Sequence, residues 1–201
     1  MKKLLVYYPK LFNCYAKFER KLINLTSNLE KLNIIFQEDP NSFIEELGKK
    51  FPNFNIESNV QNVDLEQIEY AIIFDDGECF TEEIEKLNNA NVTLRVIKIN
   101  ITRVVNIHKE PEFQSQRSSS TYEYIGRGSY WGNPYSMFEN GDSREEVIRK
   151  YKYDFDYDKF PNKSKNEVYK LAGKRLGCFC KPAACHGDVL ADYLNSYDDG
   201  N

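Results

Sequence analysis

The chain has 201 residues, which is enough for one large domain or two small ones. An apolar content of 41% allows a packed core, and 14% aromatic residues is too many for a disordered chain. A formal net charge of −4 argues against non-specific binding to duplex nucleic acid, which needs a positive field. The five cysteines lack the spacing of a secreted disulfide framework, so free thiols are expected. No apolar run reaches the roughly 18 residues of a membrane span, and we expect a cytoplasmic protein that does not contact membranes.

Strand and helix patterns alternate through the first half of the chain. Strands are predicted at residues 4–8, 33–36, 69–74 and 92–99. Helices are predicted at residues 17–32, 42–51 and 81–87, the second of them capped by Asn41 or Ser42. Strands that alternate with helices at this spacing predict an α/β fold, with a small parallel sheet and helices on both faces.

The second half carries the elements of a further small α/β or α+β part. Residues 108–121 have no apolar period and contain Pro111, which predicts a linker or mobile loop. Strands are predicted at residues 122–125 and 175–179, and helices at residues 143–153, near 165–171 and from about 187. Ser143 and Glu146 have capping-box spacing. The predicted domains are therefore residues 1–107 and 122–201, joined by residues 108–121.

A glycine-rich loop, Gly-Arg-Gly-Ser-Tyr-Trp-Gly-Asn-Pro at residues 126–134, follows the first strand of the second half. Glycines let a backbone approach a ligand closely, arginine offers a fork of donors to phosphate, and tryptophan offers a stacking face. The asparagine could orient a ligand edge. The candidate ligand-binding residues of the loop are Gly126, Arg127, Gly128, Ser129, Trp131, Gly132 and Asn133. A structural turn with a packed tryptophan is the alternative.

A second motif, residues 178–188, holds three of the five cysteines and one of the two histidines. A helix that begins at Gly187 or Asp188 would leave Cys185 and a partly exposed His186 at its positive end. His186 could then act as general acid or base, Cys185 or Asp188 as nucleophile or orienting group, and Lys181 as an anion ligand. Both motifs follow strands, so we expect them to face each other.

Two alternatives remain open for the same motif. Cys178, Cys180, Cys185 and His186 are ligand types that suit zinc. A zinc site is not the favoured interpretation, because the spacing is not that of a CxxC knuckle and all four ligands come from one short segment. The cysteines could also be small buried side chains, with Asp188 serving only as a helix cap. The identity of any cofactor therefore stays unknown.

Residues 122–194 resemble an uncharacterised phage and bacterial family, domain of unknown function 4326. The resemblance lies in the Ile-Gly-Arg-Gly and Trp-Gly-Asn-Pro sequences at residues 125–134 and in Ser-Arg-Glu-Glu at residues 143–146. It extends to Leu-Gly-Cys-x-Cys-Lys-Pro-x-x-Cys-His-Gly-Asp at residues 176–188. The resemblance implies a fold and a pocket, and it implies no particular reaction.

The first half is similar to the Rossmann-like superfamily of Lonely Guy phosphoribohydrolases and DNA-processing protein A. The similarity lies in the succession of strand, acidic turn, helix and strand across residues 71–99. That superfamily has a glycine-rich phosphate loop after its second strand. Here the corresponding residues 36–40 read Phe-Gln-Glu-Asp-Pro, with two acids and no glycine. The resemblance therefore implies a Rossmann-like unit whose phosphate loop is lost.

These observations favour a phage-type intracellular protein that binds a nucleotide, a nucleoside or a single-stranded or flipped nucleic-acid base. The abundance of Asn, Lys, Ile and Tyr is typical of an AT-rich genome, such as that of a phage or a low-GC bacterium. The expected location is the cytoplasm, which is the host cytoplasm if the chain is phage-encoded. Hydrolase or glycosyl-transfer chemistry on that ligand is one option. The alternatives are a non-enzymatic protein that sequesters a host nucleotide signal or a host protein, and a zinc-stabilised structural module. The sequence leaves the oligomeric state undetermined.

Overall fold

The computed structural model describes residues 1–57, 63–138 and 141–200. The chain divides into two compact units, one formed by Met1–Ile99 with Ser196–Asn201 and the other by Asn100–Asn195. Residues 108–121, predicted as a linker, fall within the second unit and include a short 3-10 helix at Pro111–Phe113. Each unit contains its own sheet.

The first unit has a five-stranded parallel sheet in the order β3-β2-β1-β4-β5. Its strands are β1 (Lys2–Tyr7), β2 (Leu32–Ile35), β3 (Phe54–Glu57), β4 (Tyr70–Asp75) and β5 (Thr93–Lys98). Its helices are α1 (Tyr15–Thr26), α2 (Phe43–Lys50) and α3 (Thr81–Asn89). The predicted α/β class with a small parallel sheet is confirmed. Strand β3, which pairs with β2, was not predicted.

Helices cover both faces of this sheet. Successive side chains of a strand point to opposite faces. On one face, Leu5 and Ile73 pack with Leu87 of α3. On the other face, the ring of Phe18 from α1 lies 5.0 Å from the ring of Phe74, measured between centroids. The central strands β1, β2 and β4 are thus buried on both sides, as their near-continuous apolar sequences predict.

The N-terminus of α2 is capped by Asp39. Its carboxylate accepts hydrogen bonds from the backbone N–H groups of Ile44, at 3.1 Å, and Glu45, at 2.9 Å. Ser42, one of the two predicted caps, has a left-handed backbone with φ of 58° and makes no capping bond through its side chain. Ser42 thus occupies the predicted N-cap position, but the capping hydrogen bonds come from the upstream carboxylate of Asp39.

The second unit has a three-stranded parallel sheet in the order β6-β8-β7. Its strands are β6 (Arg103–Asn106), β7 (Tyr122–Tyr124) and β8 (Arg175–Cys178), and its α-helices are α4 (Arg144–Asp156) and α5 (His186–Ser196). A 3-10 helix spans Lys165–Leu171. The second small α/β part is confirmed, and the unpredicted strand β6 explains why this unit begins before residue 108.

Two buried clusters support the second unit, and the larger of them lies beneath the helices α4 and α5. Its most buried members include Ile125, Tyr151, Phe155, Val168, Leu176 and Leu190. The predicted cap of α4 is present, since the Oγ of Ser143 accepts the N–H of Glu146 at 3.2 Å. Because β7 and β8 are parallel, the loops that leave their carboxyl ends emerge at the same edge of the sheet. None of the helices in the described ranges combines the length and apolarity that a bilayer crossing requires.

Candidate functional site

A cavity of about 490 Å³ opens at the carboxyl edge of β7 and β8. Both predicted motifs line it: the glycine-rich loop contributes Gly126, Arg127 and Asn133, and the second motif contributes Cys178, Cys180, Cys185 and His186. The volume lies in the range of about 300–1,000 Å³ that is usual for small-molecule sites. The two motifs therefore share one cavity.

Three thiols converge at the wall of this cavity. The Sγ of Cys178 lies 3.5 Å from the Sγ of Cys180 and 3.2 Å from the Sγ of Cys185, and all three sulfurs lie within 4.8 Å of one another. Alternation along the strand puts Cys178 and Cys180 on the same side, and the beginning of α5 brings Cys185 to them. All of them are free thiols.

The hydrogen bond between Cys185 and Cys178 shifts the pKa values of these two thiols in opposite directions. The thiol of Cys185 donates to Cys178, and this hydrogen bond lowers the pKa of Cys178 to about 5. The same hydrogen bond, together with burial, raises the pKa of Cys185. Burial raises the pKa of Cys180 as well. Thiolate character is therefore favoured at Cys178, whereas the nucleophile proposed from the sequence, Cys185, holds its proton.

His186 is only 5% exposed, so the expectation of a partly exposed histidine was wrong. Its Nε2 lies 2.8 Å from the carbonyl oxygen of Ile125. A carbonyl can only accept, so Nε2 carries the proton and Nδ1 has the lone pair. Nδ1 lies 3.6 Å from the Sγ of Cys185. Burial lowers the pKa of His186, which favours the neutral imidazole with Nδ1 open to a proton or a cation.

Cys185 is itself the cap of α5. Its Sγ accepts the backbone N–H of Gly187 at 3.3 Å, and its own N–H donates to the carboxylate of Asp188 at 2.9 Å, as in a capping box. The other oxygen of Asp188 pairs with the Nζ of Lys181 at 2.6 Å. Asp188 and Lys181 therefore hold the helix start together. Their predicted roles as nucleophile or orienting group and as anion ligand have no support in this arrangement.

Four loop residues predicted to bind ligand shape the loop instead. Gly128 has a φ of +81°, and a side chain at Gly132 would bring its Cβ to 2.5 Å from the carbonyl oxygen of Gly126. The N–H of Ser129 donates to that same carbonyl at 3.1 Å. Trp131 is 4% exposed and belongs to the buried cluster. The indole packs in the core, so it offers no open face for the predicted stacking.

Asn133 and Arg127 differ in what they can offer a ligand. The amide of Asn133 donates to the carbonyl of Val147 at 3.1 Å and accepts the N–H of Tyr135 at 2.9 Å, so it ties the loop to α4. Arg127 is exposed at the cavity, and its guanidinium makes a long contact of 3.5 Å with the carbonyl of Tyr135. Arg127 is therefore the better placed of the two to meet an anion.

The sequence interpretation missed several lining residues, namely Tyr135, Met137, Phe138, Arg144, Val147, Ile148, Phe179 and Ala184. Arg144 lies inside the Ser-Arg-Glu-Glu motif, which was interpreted only as a helix start. Its guanidinium donates to the carbonyl of Ala184 at 3.2 Å and hydrogen-bonds the thiol of Cys180. Phe179 stands between two motif cysteines and is 49% exposed. The sequence therefore indicated which segments line the cavity, but not which of their side chains face it.

Comparison with known proteins agrees with both resemblances. Residues 105–196 match the family described as Domain of unknown function (DUF4326). The chain is 42% identical over 72 residues to the "Uncharacterized 12.4 kDa protein in nrdA-td intergenic region" of Enterobacteria phage T4. That alignment covers 35% of this chain and 65% of the phage protein, so less than two thirds of the relative is matched. No solved structure matches the chain. Residues 1–105 match the Minimal SLOG domain, and the chain therefore belongs to the minimal SLOG family, with a DUF4326 domain that contains the cavity.

Proposed function

We propose that the second unit binds a nucleotide or nucleoside in the cavity that the two motifs share. The observation that carries this proposal is the presence of two arginines and several aromatic rings on one cavity of about 490 Å³. The minimal SLOG domain of the same chain also points to nucleotide-related binding. Anionic and aromatic groups occur together in nucleotides, and this cavity has partners for both.

Arg127 and Arg144 would contact the phosphate. Guanidinium groups bind phosphate through two parallel N–H donors, which gives direction as well as charge. Arg127 is exposed, and its contact with the carbonyl of Tyr135 is long at 3.5 Å. Arg144 is tied to the carbonyl of Ala184, so its position is fixed before a ligand arrives. We assign Arg127 the principal contact and Arg144 a supporting one.

Phe179 and Phe138 would contact the base. Both line the cavity, and they are 49% and 89% exposed, so their rings can still bury area against a ligand. Base–aromatic stacking contributes about 1–3 kcal/mol per base and tolerates any base. These rings take the role that the sequence interpretation gave to Trp131. Proximity of rings and arginines favours a nucleotide over a bare phosphate.

Binding is proposed without a chemical step. The two predicted nucleophiles, Cys185 and Asp188, are engaged in forming the start of α5. A non-enzymatic protein that sequesters a nucleotide was the alternative to turnover, and the arrangement is more consistent with it. Chromatography of each nucleotide after incubation with the protein tests this directly, because intact ligand supports sequestration and any product supports an enzyme.

Isothermal titration of the full chain with adenosine, AMP, ATP and inorganic phosphate tests the binding proposal. We expect Arg127→Gln to weaken AMP binding about 10- to 100-fold and adenosine binding little, because a charge-assisted hydrogen bond contributes about 1.5–3 kcal/mol. Arg149→Gln is the matched control. Arg149 lies on α4 outside the cavity lining and pairs with Glu146 at 2.7 Å.

The same titrations test the stacking contact. Phe179→Ala should weaken adenosine and AMP binding alike, by about 5- to 100-fold. Tyr157→Ala, which removes a ring that is 65% exposed away from the cavity lining, should leave both affinities within twofold. The proposal fails if no nucleoside or nucleotide binds, or if the control variants lose affinity as much as the cavity variants.

A further inference from the structure

We propose that Cys178, Cys180, Cys185 and His186 hold one zinc ion at the wall of the cavity. This inference goes beyond the proposed function, because nucleotide binding through Arg127 and Phe179 needs no metal. It rests on the convergence of three thiols at the end of β8 and the start of α5, with an imidazole nitrogen 3.6 Å from one of them.

The sulfur positions suit a tetrahedral ion. Zinc–sulfur bonds of about 2.3 Å place two thiolates about 3.8 Å apart on a tetrahedral zinc. The sulfur of Cys178 lies 3.2 Å from that of Cys185 and 3.5 Å from that of Cys180, with every sulfur pair within 4.8 Å. Small side-chain rotations therefore suffice to bring all three to bonding distance of one ion.

The imidazole supplies the fourth ligand. A zinc–nitrogen bond of about 2.0–2.1 Å places the nitrogen about 3.6 Å from a thiolate on the same ion. The Nδ1 of His186 lies 3.6 Å from the Sγ of Cys185. Its Nε2 is oriented by the carbonyl of Ile125 at 2.8 Å, and metal-bound histidines usually have such a partner for their second nitrogen.

The proposed ligands come from one short segment of the chain, but that segment links two structural elements. Cys178 ends β8 and Cys180 follows it, whereas Cys185 caps α5 and His186 is its first residue. The metal would therefore join the end of a strand to the start of a helix across the intervening turn. The N–H of Gly187 donates to the Sγ of Cys185 at 3.3 Å, which fixes the position of that sulfur at the start of the helix.

The donor set selects the class of metal. Thiolates and imidazole favour zinc over magnesium or calcium, which prefer oxygen ligands. Three sulfurs and one nitrogen complete four-coordination, so the site is closed in the manner of structural zinc. Its function would be to fix the cavity wall, on which Phe179 stands between two of the ligands.

Metal analysis of the purified full chain in reducing buffer tests the site. Elemental mass spectrometry should find one zinc ion per chain in the wild type and much less zinc in the variants C178S, C180S and C185S. The matched controls are C14S and C79S, because both remove a cysteine of the first unit, which contributes no ligand to the proposed site. A wild type that holds no zinc after incubation with equimolar Zn²⁺, or controls that lose as much metal as the cluster variants, would overturn the proposal.

A second measurement does not depend on the folding of the cysteine variants. Wild-type chain stripped by a chelator should bind Co²⁺ with thiolate-to-cobalt charge-transfer absorption and the intense visible bands of a tetrahedral ion. His186→Ala should shift those bands and weaken Co²⁺ binding at least tenfold. A weak octahedral spectrum or an unshifted variant spectrum would contradict the assignment. A disulfide between Cys178 and Cys185 that persists in wild-type protein kept in reducing buffer would contradict it as well. Arg127→Gln should retain full zinc while losing AMP affinity, so the two proposals can fail separately.

Discussion

The two units differ in what surrounds the N-terminus of a helix that follows a strand of their parallel sheets. In the first unit, the donors of α2 are occupied by the carboxylate of Asp39. In the second unit, α5 begins with Cys185 and His186 on the wall of an open cavity. Both helix starts are capped by the protein's own groups, by Asp39 in α2 and by Cys185 with Asp188 in α5. The difference is that the start of α2 is closed by a carboxylate, whereas the start of α5 borders an open cavity. The comparison shows that the same kind of position is closed in one unit and open beside a cavity in the other.

The closed position is built around Asp39. Besides the two helix N–H groups, the hydroxyl of Tyr8 donates to this carboxylate. Burial, reinforced by that hydrogen bond, raises the pKa of Tyr8, so the phenol keeps its proton. A phosphate at this point would face a negative charge and donors that are already engaged. This arrangement agrees with the acidic, glycine-free sequence of residues 36–40.

The open position depends on the core beneath it. Tyr151 is fully buried, and its hydroxyl donates to the carbonyl of Trp131 at 2.9 Å. Its ring lies 5.0 Å from the ring of His186 and 4.8 Å from that of Phe160. One side chain thus supports the glycine-rich loop and the histidine of the second motif at the same time.

The largest expected effect is that of Tyr151→Ala. Truncation of a buried aromatic side chain costs about 3–5 kcal/mol, and the change should also lower AMP affinity because both walls of the cavity lose support. Urea unfolding followed by calorimetric titration measures the two effects. Tyr157→Ala, at the exposed end of α4, should stay within about 0.5 kcal/mol of the wild type. A Tyr151 variant that loses stability but keeps full affinity would show that the cavity is independent of this core.

A smaller effect is expected from Asp39→Ala. Loss of a helix cap costs about 0.5–2 kcal/mol, and the donors of α2 would be left to water. AMP affinity should remain within twofold, since the proposed site lies in the other unit. Glu38→Ala removes the neighbouring exposed acid as a control and should change neither quantity. A change in AMP affinity with the Asp39 variant alone would place nucleotide binding in the first unit and break the comparison.

Local patterns were sufficient to predict most of the fold. Long apolar runs predicted β1, β4 and β5, and capping-box spacing predicted the start of α4. Strands β3 and β6 were not predicted, and each is defined by its pairing with a strand that is distant in the sequence, β2 and β8 respectively. Asp39 was missed as a cap because it acts from outside the usual cap position. These errors concern tertiary contacts rather than local preference.

The sequence predicted the position of the site better than it predicted the role of each residue in it. Parallel strands bring their carboxyl ends to one edge, so the meeting of the two motifs followed from topology. The burial of Trp131 and His186 depends on side chains such as Tyr151 that lie far away in the sequence. The preference for thiolate at Cys178 over Cys185 depends on a hydrogen bond between them. Contacts of this kind cannot be inferred from residue spacing or composition.

The smallest expected effect concerns the C-terminal tail, which belongs to the first unit. Arg20 of α1 forms two hydrogen bonds of 2.8 Å with Asp198, and these lower the pKa of Asp198 to about 2. A carboxyl group whose pKa is lowered by folding stabilises the protein above its unfolded pKa of about 3.9, and that contribution is lost as the pH falls towards 2.

Arg20→Ala should therefore lower the Tm at pH 7 by no more than about 2 °C, because exposed ion pairs contribute little. The difference from the wild type should shrink as the pH falls from 4 towards 2 and should also shrink in about 1 M salt, which screens exposed charges. Lys31→Ala, which removes the same charge from the same unit, is the control. A difference that persists unchanged at low pH and high salt would mean that Arg20 stabilises the unit through packing of its aliphatic stem, not through its charge.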